Sequence, residues 1–491
     1  MSETANIEHI SEEQIRLDKR KQLQESNSAY KHTYDKTNSC ETVQKQYESI
    51  QHEETVTDVL SVAGRLVAKR GHGKAMFGNI TDDSGALQVY FRLDALGEEA
   101  FAHVEGFDIG DIIGIKGTPF RTKRGELSLR VSEATLLTKA LLPLPEKYHG
   151  LQDKELRYRK RYLDLIANPD VKDTFKKRSD IIKDIRNYLN NDNFMEVETP
   201  VLNNIYGGAS ARPFTTHHNE LKQDLYMRIS LELPLKRLMV GGFEKVYEIG
   251  RVFRNEGVSY KHNPEYTLLE LYQSYADYSD MMALTESLLA DLAKKHMGTL
   301  SFEYQGNTID MTPPFQRLTF HEALKTYADV DADDYDALFK RAKELGLEPN
   351  EEITKGTLIM DIYDKCVEPK LIQPTFMMDH PWETSPLAKR KRDNDDLVER
   401  FELIINGMEI ANAFSELNDP IDQEERFEDQ EKARKAGDDE AHLMDHDFIE
   451  ALKYGMPPAG GLGIGIDRVV MLLTNSHSIR DVIFFPHMKD K

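Results

Sequence analysis

Several stretches of the chain combine residue types that bind polyphosphates, metal ions and amines. The first consists of two strand-like runs, EKVYEIGRVFRNEG and PEYTLLELYQSY, joined by the ten-residue polar loop NEGVSYKHNP. Because side chains alternate along a strand, Tyr266, Glu270 and Tyr272 are expected on one face of the second run. Arg254 ends the first run, and His262 follows in the loop. Arginine forks onto phosphate or carboxylate oxygens, so the pair of runs indicates a polyphosphate site, with an ion-paired surface hairpin as the alternative.

A second candidate site lies in RFELIINGMEIANAFSELNDP, where Asn406-Gly407 separates two apolar runs and predicts a two-residue hairpin turn. In that register residue 404 faces 409 and residue 402 faces 411, which makes Glu402 and Glu409 diagonal neighbours on one face. Two carboxylates this close repel each other unless a cation neutralises them, and oxygen ligands suit Mg2+ that carries a nucleotide phosphate. A pair of glutamates on a solvated sheet face is the alternative.

The same hairpin carries three more candidate side chains of the opposite parity, which are Asn412, Phe414 and Glu416. Alternate residues of a strand point to opposite faces, so a regular hairpin separates these three from the two glutamates. All five serve one pocket only if a β-bulge or a strong twist intervenes.

Two glycine-rich stretches offer close approach to the backbone. In AGGLGIGIDRVVMLL the spacing is G-x-G-x-G, and too little chain follows it for a dinucleotide-binding unit. We interpret it as a strand that leads into a helix opening at Asp467-Arg468, with Arg468 as a cation and close helix–strand packing as the alternative. In IYGGASARPFTTHHN the loop around Gly208 can expose backbone groups to a ligand. Zinc at the adjacent histidines is disfavoured, because neighbouring strand residues point apart.

The composition limits the classes of function. The 491 residues carry a formal net charge of -22, and 40% of them are hydrophobic. No apolar run is long enough to span a bilayer, so several globular domains and no membrane are expected. Two cysteines are too few for a disulfide framework, and the polar N-terminus does not resemble a secretory signal, so a cytoplasmic location is expected. Lysines and arginines cluster between residues 154 and 178, either as a solvated helix face or as a phosphate-binding patch.

The sequence patterns also predict the domains that position these candidate residues. Residues 1–54 form a polar extension with a charged helix expected over 13–24. Residues 55–140 contain five short β-rich runs, typical of an oligonucleotide-binding (OB) barrel, with an SH3-like barrel as the alternative. Residues 141–170 include the linker PLPEKYHG. Residues 171–491 are expected to form one large domain, with an amphipathic helix over 173–191, a strand in FMEVETP and a helical insertion near 320–370.

Together these motifs resemble those of class II aminoacyl-tRNA synthetases, and over residues 55–491 they are most similar to the lysyl-tRNA synthetases. The helix with FMEVETP resembles the first family motif, RVFRNEG…HNPEYTLLELY the second and GLGIGIDRVVML the third, in the family's order. The segments GGASARPF, RNEGVS, NAFSELNDP, AGDDEA and TNSHSIRDV narrow the match to the lysine enzymes. The resemblance implies a multidomain α+β chain, with an N-terminal five-stranded OB-fold anticodon-binding barrel and a class II catalytic domain built on an antiparallel sheet flanked by helices.

The resemblance also implies a reaction and its partners. Enzymes of this family are ligases that activate L-lysine with ATP and Mg2+, which gives lysyl-adenylate and pyrophosphate, and then transfer lysine to the 3' end of tRNA(Lys). The first motif implies a homodimer, and neither DNA nor a membrane is an expected partner.

Site residues follow from the resemblance position by position. Arg254 and Arg468 would be catalytic. The expected ATP-binding residues are Arg254, Glu256, His262, Asn263, Tyr266, Glu402, Glu409 and Arg468, with Glu402 and Glu409 also holding Mg2+. The expected lysine-binding residues are Gly208, Glu232, Arg254, Glu270, Tyr272, Asn412, Phe414 and Glu416. The expected anticodon-binding residues are Arg65, Phe77, Gln88 and Glu126, each of which could instead be ordinary barrel surface or core.

The charge of the substrate can be argued from the residues themselves. Glu232, Glu270 and Glu416 outnumber Arg254 in the expected pocket, and a buried ammonium is costly unless carboxylates meet it. An aspartyl- or asparaginyl-type synthetase, the first rival, would need a further arginine or lysine there, and none is expected. A catalytically retired RNA-binding paralogue, the second rival, is disfavoured because the arginines and glutamates that would bind ATP and metal are all present.

Overall fold

The computed structural model describes residues 11–25, 29–52, 54, 56–71, 73–145, 151–350, 353–435, 437 and 441–490. Most of AGDDEA, the first ten residues and the end of PLPEKYHG with its glycine lie outside the described residues. The chain divides into two compact units, Met1–Gln152 and Asp153–Lys491, and the division falls within the segment 141–170. Among the described residues, no helix has the length and apolar character needed to cross a membrane.

The N-terminal unit is built around a closed five-stranded barrel. Its strands are β1 Leu60–Arg70, β2 Ala75–Thr81, β3 Ala86–Arg92, β4 Ile112–Arg121 and β5 Leu127–Thr138, and its helices are α1 Glu12–Glu25, α2 Cys40–Gln46, α3 Leu93–Leu96 and α4 Glu98–Glu105. The strand order is β1-β2-β3-β5-β4, and β4 closes the barrel by pairing with β1. Alternate residues such as Leu66, Ile80 and Val89 fill the interior. The expected five-stranded barrel is therefore confirmed.

The polar extension before the barrel is more ordered than its sequence predicts. The charged helix expected over 13–24 is α1, and a second helix that the sequence did not predict, α2, follows with its first turn capped by Ser39. The segment lies along the barrel, because Arg121 of β4 donates from Nε to the carbonyl of Ile50 at 2.7 Å. Cys40 and Val43 of α2 are buried in the core of the barrel, and such tertiary packing supplies the stability that a short polar helix lacks by itself.

The C-terminal unit is a large sheet flanked by helices. Its strands are β6 Met195–Glu196, β7 Leu202–Asn203, β8 Thr215–His218, β9 Gln223–Met227, β10 Lys245–Phe253, β11 Glu265–Ser274, β12 Ser301–Tyr304, β13 Asn307–Asp310, β14 Gln316–Thr319, β15 Thr375–Pro381, β16 Arg390–Lys391, β17 Asn394–Ile405, β18 Met408–Ser415 and β19 Ala459–Gly465. Its helices are α5 Lys154–Arg159, α6 Arg161–Ala167, α7 Pro169–Asn191, α8 Glu232–Val240, α9 Tyr278–Met297, α10 Phe320–Ala323, α11 Tyr335–Glu344, α12 Lys355–Cys366, α13 Pro420–Lys435, α14 His446–Lys453, α15 Ile466–Leu473 and α16 Ile479–Val482.

Nine strands form the main sheet, in the order β14-β15-β17-β18-β19-β11-β10-β6, with β16 added beside β17. Every pairing in that order is antiparallel except those at the two edges, where β14 and β6 run parallel to their neighbours. One sheet face packs on α7, α9 and α15 around a core that includes Ile185, Leu288 and Val470. The other face is left to carry the polar side chains singled out above, which agrees with the expected antiparallel catalytic sheet.

Two expected elements of this unit differ in extent from the structure. The amphipathic helix begins at Pro169, four residues before the expected 173, because proline is well accommodated in a first turn. FMEVETP forms only the two-residue strand β6, which pairs with β10 at the sheet edge. The insertion near 320–370 is helical as predicted, and its helices α10, α11 and α12 bury a separate core around Leu338 and Ile362.

Candidate active site

A cavity of about 760 Å3 opens on the polar face of the sheet. It is lined by the alternating residues of β11, the hairpin of β17 and β18, the glycines of β19, the loop around Gly208 and the insertion helix α12. The candidate segments found in the sequence therefore meet at one place, although they lie far apart in the chain.

The expected shared face of β11 is confirmed, because Tyr266, Glu270 and Tyr272 all line the cavity. In the neighbouring strand β19, Gly463 lies opposite Glu270 and Gly461 lies opposite Tyr272. A Cβ atom at Gly461 would collide with the ring of Tyr272. Glycine at this position thus makes the room that the β11 side chains and a ligand require.

The hairpin of β17 and β18 contains the bulge that decides which side chains meet. Its turn at Asn406-Gly407 has the expected positive φ angles of 53° and 65°, and Ile404 pairs with Glu409 as predicted. The predicted pairing of residue 402 with 411 is wrong. Glu402 pairs with Asn412, because the register shifts by one residue between Leu403 and Ile404.

This shift reverses the parity of the rest of β18. Glu402, Glu409, Asn412, Phe414 and Glu416 consequently all line the same cavity.

One end of the cavity is strongly acidic. Glu270 accepts hydrogen bonds at Oε1 from the Ser230 hydroxyl at 2.9 Å and the Leu231 amide at 3.0 Å, and at Oε2 from the Tyr272 hydroxyl at 3.2 Å. Burial, and then the charge of Glu232, raise the pKa of Glu270 to about 7. Burial also raises the pKa of Glu416 well above its ordinary value. Within the described part of the chain, Oε1 of Glu416 is buried and has no hydrogen-bond partner.

The loop expected to present Gly208 lies beside this acidic end. Gly208 adopts a φ of 84°, and a Cβ atom there would lie 2.6 Å from the Ser230 hydroxyl and 3.0 Å from the Cβ of Glu232. The position therefore needs glycine both for its backbone conformation and for the close approach.

The expectation that no lysine accompanies these carboxylates is wrong. Lys236 lies one helical turn after Glu232 in α8, with Nζ 2.6 Å from Glu232 Oε1, and it also forms an ion pair with Glu416. Its side chain does not line the cavity but is buried behind it, 5.3 Å from the ring centre of Phe414. Sequence reasoning missed it because α8 was not predicted; the i,i+4 spacing of Glu232 and Lys236 was the available signal.

The other end of the cavity combines cations with an aromatic ring. The guanidinium of Arg254 lies 5.5 Å from the ring centre of Tyr266 and donates from Nε to the carbonyl of Ile229 at 3.3 Å. Arg468 donates from Nη1 to the carbonyl of Glu409 at 2.6 Å and lies 3.3 Å from its carboxylate. Cations beside an aromatic ring suit a nucleotide phosphate and its base.

The loop between β10 and β11 contributes Glu256, His262 and Asn263 to the same end. Nδ1 of His262 is hydrogen-bonded to the Ser259 hydroxyl at 2.8 Å. Partial burial, and then the charges of Arg468 and Lys261, lower the pKa of His262 to about 4, so the imidazole is neutral at pH 7. Asn263 donates to the carbonyl of Glu265 at 2.7 Å, while its buried Oδ1 has no partner among the residues described.

Glu402 and Glu409 form the candidate metal pair. Burial by itself would raise the pKa of Glu402. The guanidinium of Arg400, whose Nη2 lies 2.6 Å from Oε1 of Glu402, instead lowers that pKa to about 2. Burial and the charge of Glu402 raise the pKa of Glu409. The two carboxylates thus repel each other within one cavity, and an oxygen-seeking divalent cation would relieve that repulsion, so the residues present fit Mg2+. Arg400 itself lines the cavity, so the expectation that the pocket holds no further arginine is also wrong; its parity with Glu402 was the available signal.

The barrel of the N-terminal unit has a groove of its own. Phe77, Gln88 and Glu126 line it, but Arg65 does not, because Arg65 lies further along β1 opposite Thr81 and donates to the carbonyl of Gly110 at 2.8 Å. The structure therefore brings three of the four expected residues together.

Further aromatic and cationic residues of the groove were missed, namely Tyr90, Phe120 and Arg130. The ring of Phe77 stacks on Tyr90 with centres 4.4 Å apart, and Arg130 lies 5.0 Å from the ring centre of Phe120. The parity of β3 was the available signal, since Tyr90 follows Gln88 by two positions.

Several cations between residues 154 and 178 have structural partners. Arg161 of α6 is buried and donates to the carbonyl of Arg480 in α16 at 2.7 Å, and Arg178 of α7 pairs with Asp467 of α15 at 2.5 Å. These two arginines therefore connect helices of the C-terminal unit, which accounts for part of the cluster without a phosphate ligand.

Comparison with known proteins gives matches over almost the whole chain. Residues 153–489 match the family of class II tRNA synthetases (D, K and N), and residues 60–137 match the OB-fold nucleic acid binding domain. The chain is 54% identical to a lysine–tRNA ligase of Moorella thermoacetica over 481 residues, which is 97% of each protein. It is 52% identical to a lysine–tRNA ligase of Oceanobacillus iheyensis over 498 residues, which is 100% of both proteins. It is 57% identical to a lysine–tRNA ligase of Pelotomaculum thermopropionicum over 435 residues, which is 88% of this chain and 86% of the relative. The chain therefore belongs to the class II tRNA synthetases, within the lysine–tRNA ligase family.

Proposed function

We propose that the chain activates L-lysine with ATP as lysyl-adenylate and then transfers the lysyl group to the 3' end of tRNA(Lys). The observation that carries this proposal is the acidic end of the cavity, where three buried carboxylates converge: Glu232, Glu270 and Glu416. The buried Oε1 of Glu416 lacks a donor among the described residues, and a substrate ammonium is the donor that would satisfy it.

Lysine is held at both of its ends. Its side-chain ammonium meets Glu270, Tyr272 and Glu416, with Phe414 beside the aliphatic chain. Its α-amino group meets Glu232 and the carbonyl of Gly208, which lie against each other in the fold. Its carboxylate faces Arg254 and Asn412. When an analogue that lacks the expected polar group binds, the charges of the site are left unpaired. Such a site can therefore reject that analogue by about 10^4-fold.

ATP occupies the cationic end. Its adenine stacks on Tyr266 with its amino group at Glu256, while His262, Asn263 and Arg468 meet the β- and γ-phosphates. The neutral state of His262 lets it donate one hydrogen bond without adding a charge.

The reaction has two steps. A carboxylate oxygen of lysine attacks the α-phosphorus in line, the bond to the bridging oxygen breaks, and pyrophosphate leaves. Arg254 steadies both the attacking carboxylate and the α-phosphate, so catalysis rests on positioning and charge neutralisation without a covalent enzyme intermediate. The terminal ribose 3'-hydroxyl of tRNA then attacks the lysyl carbonyl and AMP leaves.

Glu402 and Glu409 hold Mg2+ in this proposal. The ion, when bound, neutralises phosphate charge. Arg400 keeps Glu402 ionised at neutral pH, and Arg468 orients Glu409 through its carbonyl and carboxylate.

We assign the anticodon to the barrel, within residues 55–140, and adenylation to residues 171–491. Phe77 stacks on a base, while Gln88 and Glu126 read base edges, because single-stranded bases stack on aromatic side chains and hydrogen-bond through their edges. Arg65 would contact the tRNA outside the groove. The remaining cations of the cluster between residues 154 and 178 would contact its backbone.

We also propose a homodimer in the cytoplasm. Four large apolar side chains between residues 195 and 205 are exposed, namely Met195, Val201, Leu202 and Ile205. They follow the helix of the first motif, and such a patch marks an interaction surface. Both cysteines are free, which fits a reducing compartment.

The test is amino-acid-dependent ATP–pyrophosphate exchange with Mg2+ and without tRNA. Lysine is compared with ornithine, arginine, aspartate and asparagine at the same concentration. Exchange with lysine alone is expected. Exchange with aspartate or asparagine would overturn the assignment of the acidic end, and no exchange with any of them from folded protein would favour a non-catalytic RNA-binding role.

A further inference from the structure

Lys236 carries a buried charge directly behind the acidic end of the cavity. Its residue exposure is 0%, and its ammonium contacts the carboxylates of Glu232 and Glu416 at the same time. These two partners come from different elements, since Glu232 opens α8 and Glu416 follows β18. A cation that bridges two elements fixes the separation and direction of both carboxylates.

Among the charged groups around Glu232 and Glu416, Lys236 is the nearest positive charge. Glu270 of β11 acts on Glu416 and adds negative charge, Arg400 of β17 acts on Glu232, and Tyr272 and the ring of Phe414 are uncharged at neutral pH. Lys236 neutralises one of the three carboxylates, so two negative charges remain when all three are ionised. The free amino acid lysine brings two ammonium groups, so the charges of the pocket and the substrate amines balance.

We propose that Lys236 is a positioning and specificity-determining residue for the amino acid, which acts by holding Glu232 and Glu416 as paired carboxylates that face the α-amino and side-chain ammonium groups. This inference rests on the proposed lysine activation. Without the cation, two like charges confined in a buried site must move apart or take up a proton, and either change removes a partner from the substrate.

The experiment compares Lys236→Met with Leu235→Met in ATP–pyrophosphate exchange between pH 6.5 and 8.5. Both changes place methionine at a fully buried position of α8, but only the first removes a charge. For Lys236→Met we expect the KM for lysine to rise at least tenfold at pH 7, while the KM for ATP stays within about twofold. We also expect the lysine KM of Lys236→Met to fall with rising pH, and to do so more steeply than that of the wild type. The reason is that Glu232 and Glu416 must lose protons before they can pair with the ammonium groups.

Leu235→Met is expected to keep a lysine KM within about twofold of the wild type and a parallel pH profile. The inference is overturned if Lys236→Met raises the KM values for lysine and ATP alike, or if its pH profile runs parallel to that of the wild type. Should Lys236→Met fail to fold, Lys236→Gln removes the charge but keeps a hydrogen-bond donor, and the same two criteria apply. Absence of lysine-dependent exchange in the wild type would instead refute the proposed function.

Discussion

Replacing Glu416 with glutamine removes the charge of the most buried of the three carboxylates at the acidic end of the cavity and keeps its shape. Glu416 is 1% exposed, compared with 5% for both Glu232 and Glu270. Its Oε1 has no hydrogen-bond partner in the described part of the protein, so the substrate ammonium would be the donor that satisfies it. The substitution therefore removes a charged partner of the substrate ammonium, and it also weakens the ion pair between Glu416 and Lys236.

The expected loss follows from the kind of contact removed. A hydrogen bond to a charged group contributes about 1.5–3 kcal/mol, and leaving one member of a buried ion pair uncompensated costs about 3–5 kcal/mol. Glu270 still faces the ammonium and offsets part of that cost. We therefore expect a loss of about 2–4 kcal/mol, which corresponds to a decrease in kcat/KM for lysine of roughly 30- to 900-fold.

The assay is lysine-dependent ATP–pyrophosphate exchange with separate titrations of lysine and ATP. Glu220→Gln is the matched control, because Glu220 is exposed in the turn after β8 and does not line the cavity. The control should keep both KM values. A Glu416→Gln enzyme with kcat/KM for lysine within threefold of the wild type, or with an equal loss for ATP, would refute the assignment of Glu416 to the substrate ammonium.

Three further predictions test other parts of the site. Phe77→Ala should raise the KM for tRNA about 5- to 150-fold in aminoacylation and leave tRNA-independent exchange unchanged, since stacking of a base contributes about 1–3 kcal/mol; equal loss in both assays would contradict a role in the barrel groove. The pKa of Glu270 is raised to about 7, so lysine binding should weaken as pH falls through 7 and the carboxylate is protonated. Glu270→Gln should flatten that part of the pH profile, and an unchanged slope would assign it to another group. Chelation by EDTA should abolish exchange and added Mg2+ should restore it, with Glu409→Gln requiring a higher Mg2+ concentration than the wild type; equal Mg2+ titrations would exclude Glu409 as a ligand.

The sequence by itself determined the elements with a strong local signal. The alternation in β11 predicted the shared face of Tyr266, Glu270 and Tyr272, and Asn406-Gly407 predicted the turn between β17 and β18. The five β-rich runs predicted the barrel. These features depend on side-chain periodicity and on residues that tolerate positive φ, both of which are local properties of the chain.

The tertiary structure decided which of those elements share a site. The bulge at Ile410 of β18, opposite Leu403 and Ile404, cannot be read from residue types. It nevertheless shifts the pairing by one residue and turns Asn412, Phe414 and Glu416 towards Glu402. A one-residue change of register reverses the face of every residue beyond it, so local alternation alone could not resolve the pocket.

Charge pairing over long sequence distances was likewise settled only by packing. Lys236 and Glu416 are 180 positions apart, and the sequence indicated an acidic pocket without its buried counter-cation. Arg65 shows the reverse case, because a residue expected in the barrel groove lies outside it along β1. The physical reason is the same in both cases: composition specifies which charges exist, whereas the electrostatics of a site depend on separations of a few ångströms that arise when distant strands and helices pack together.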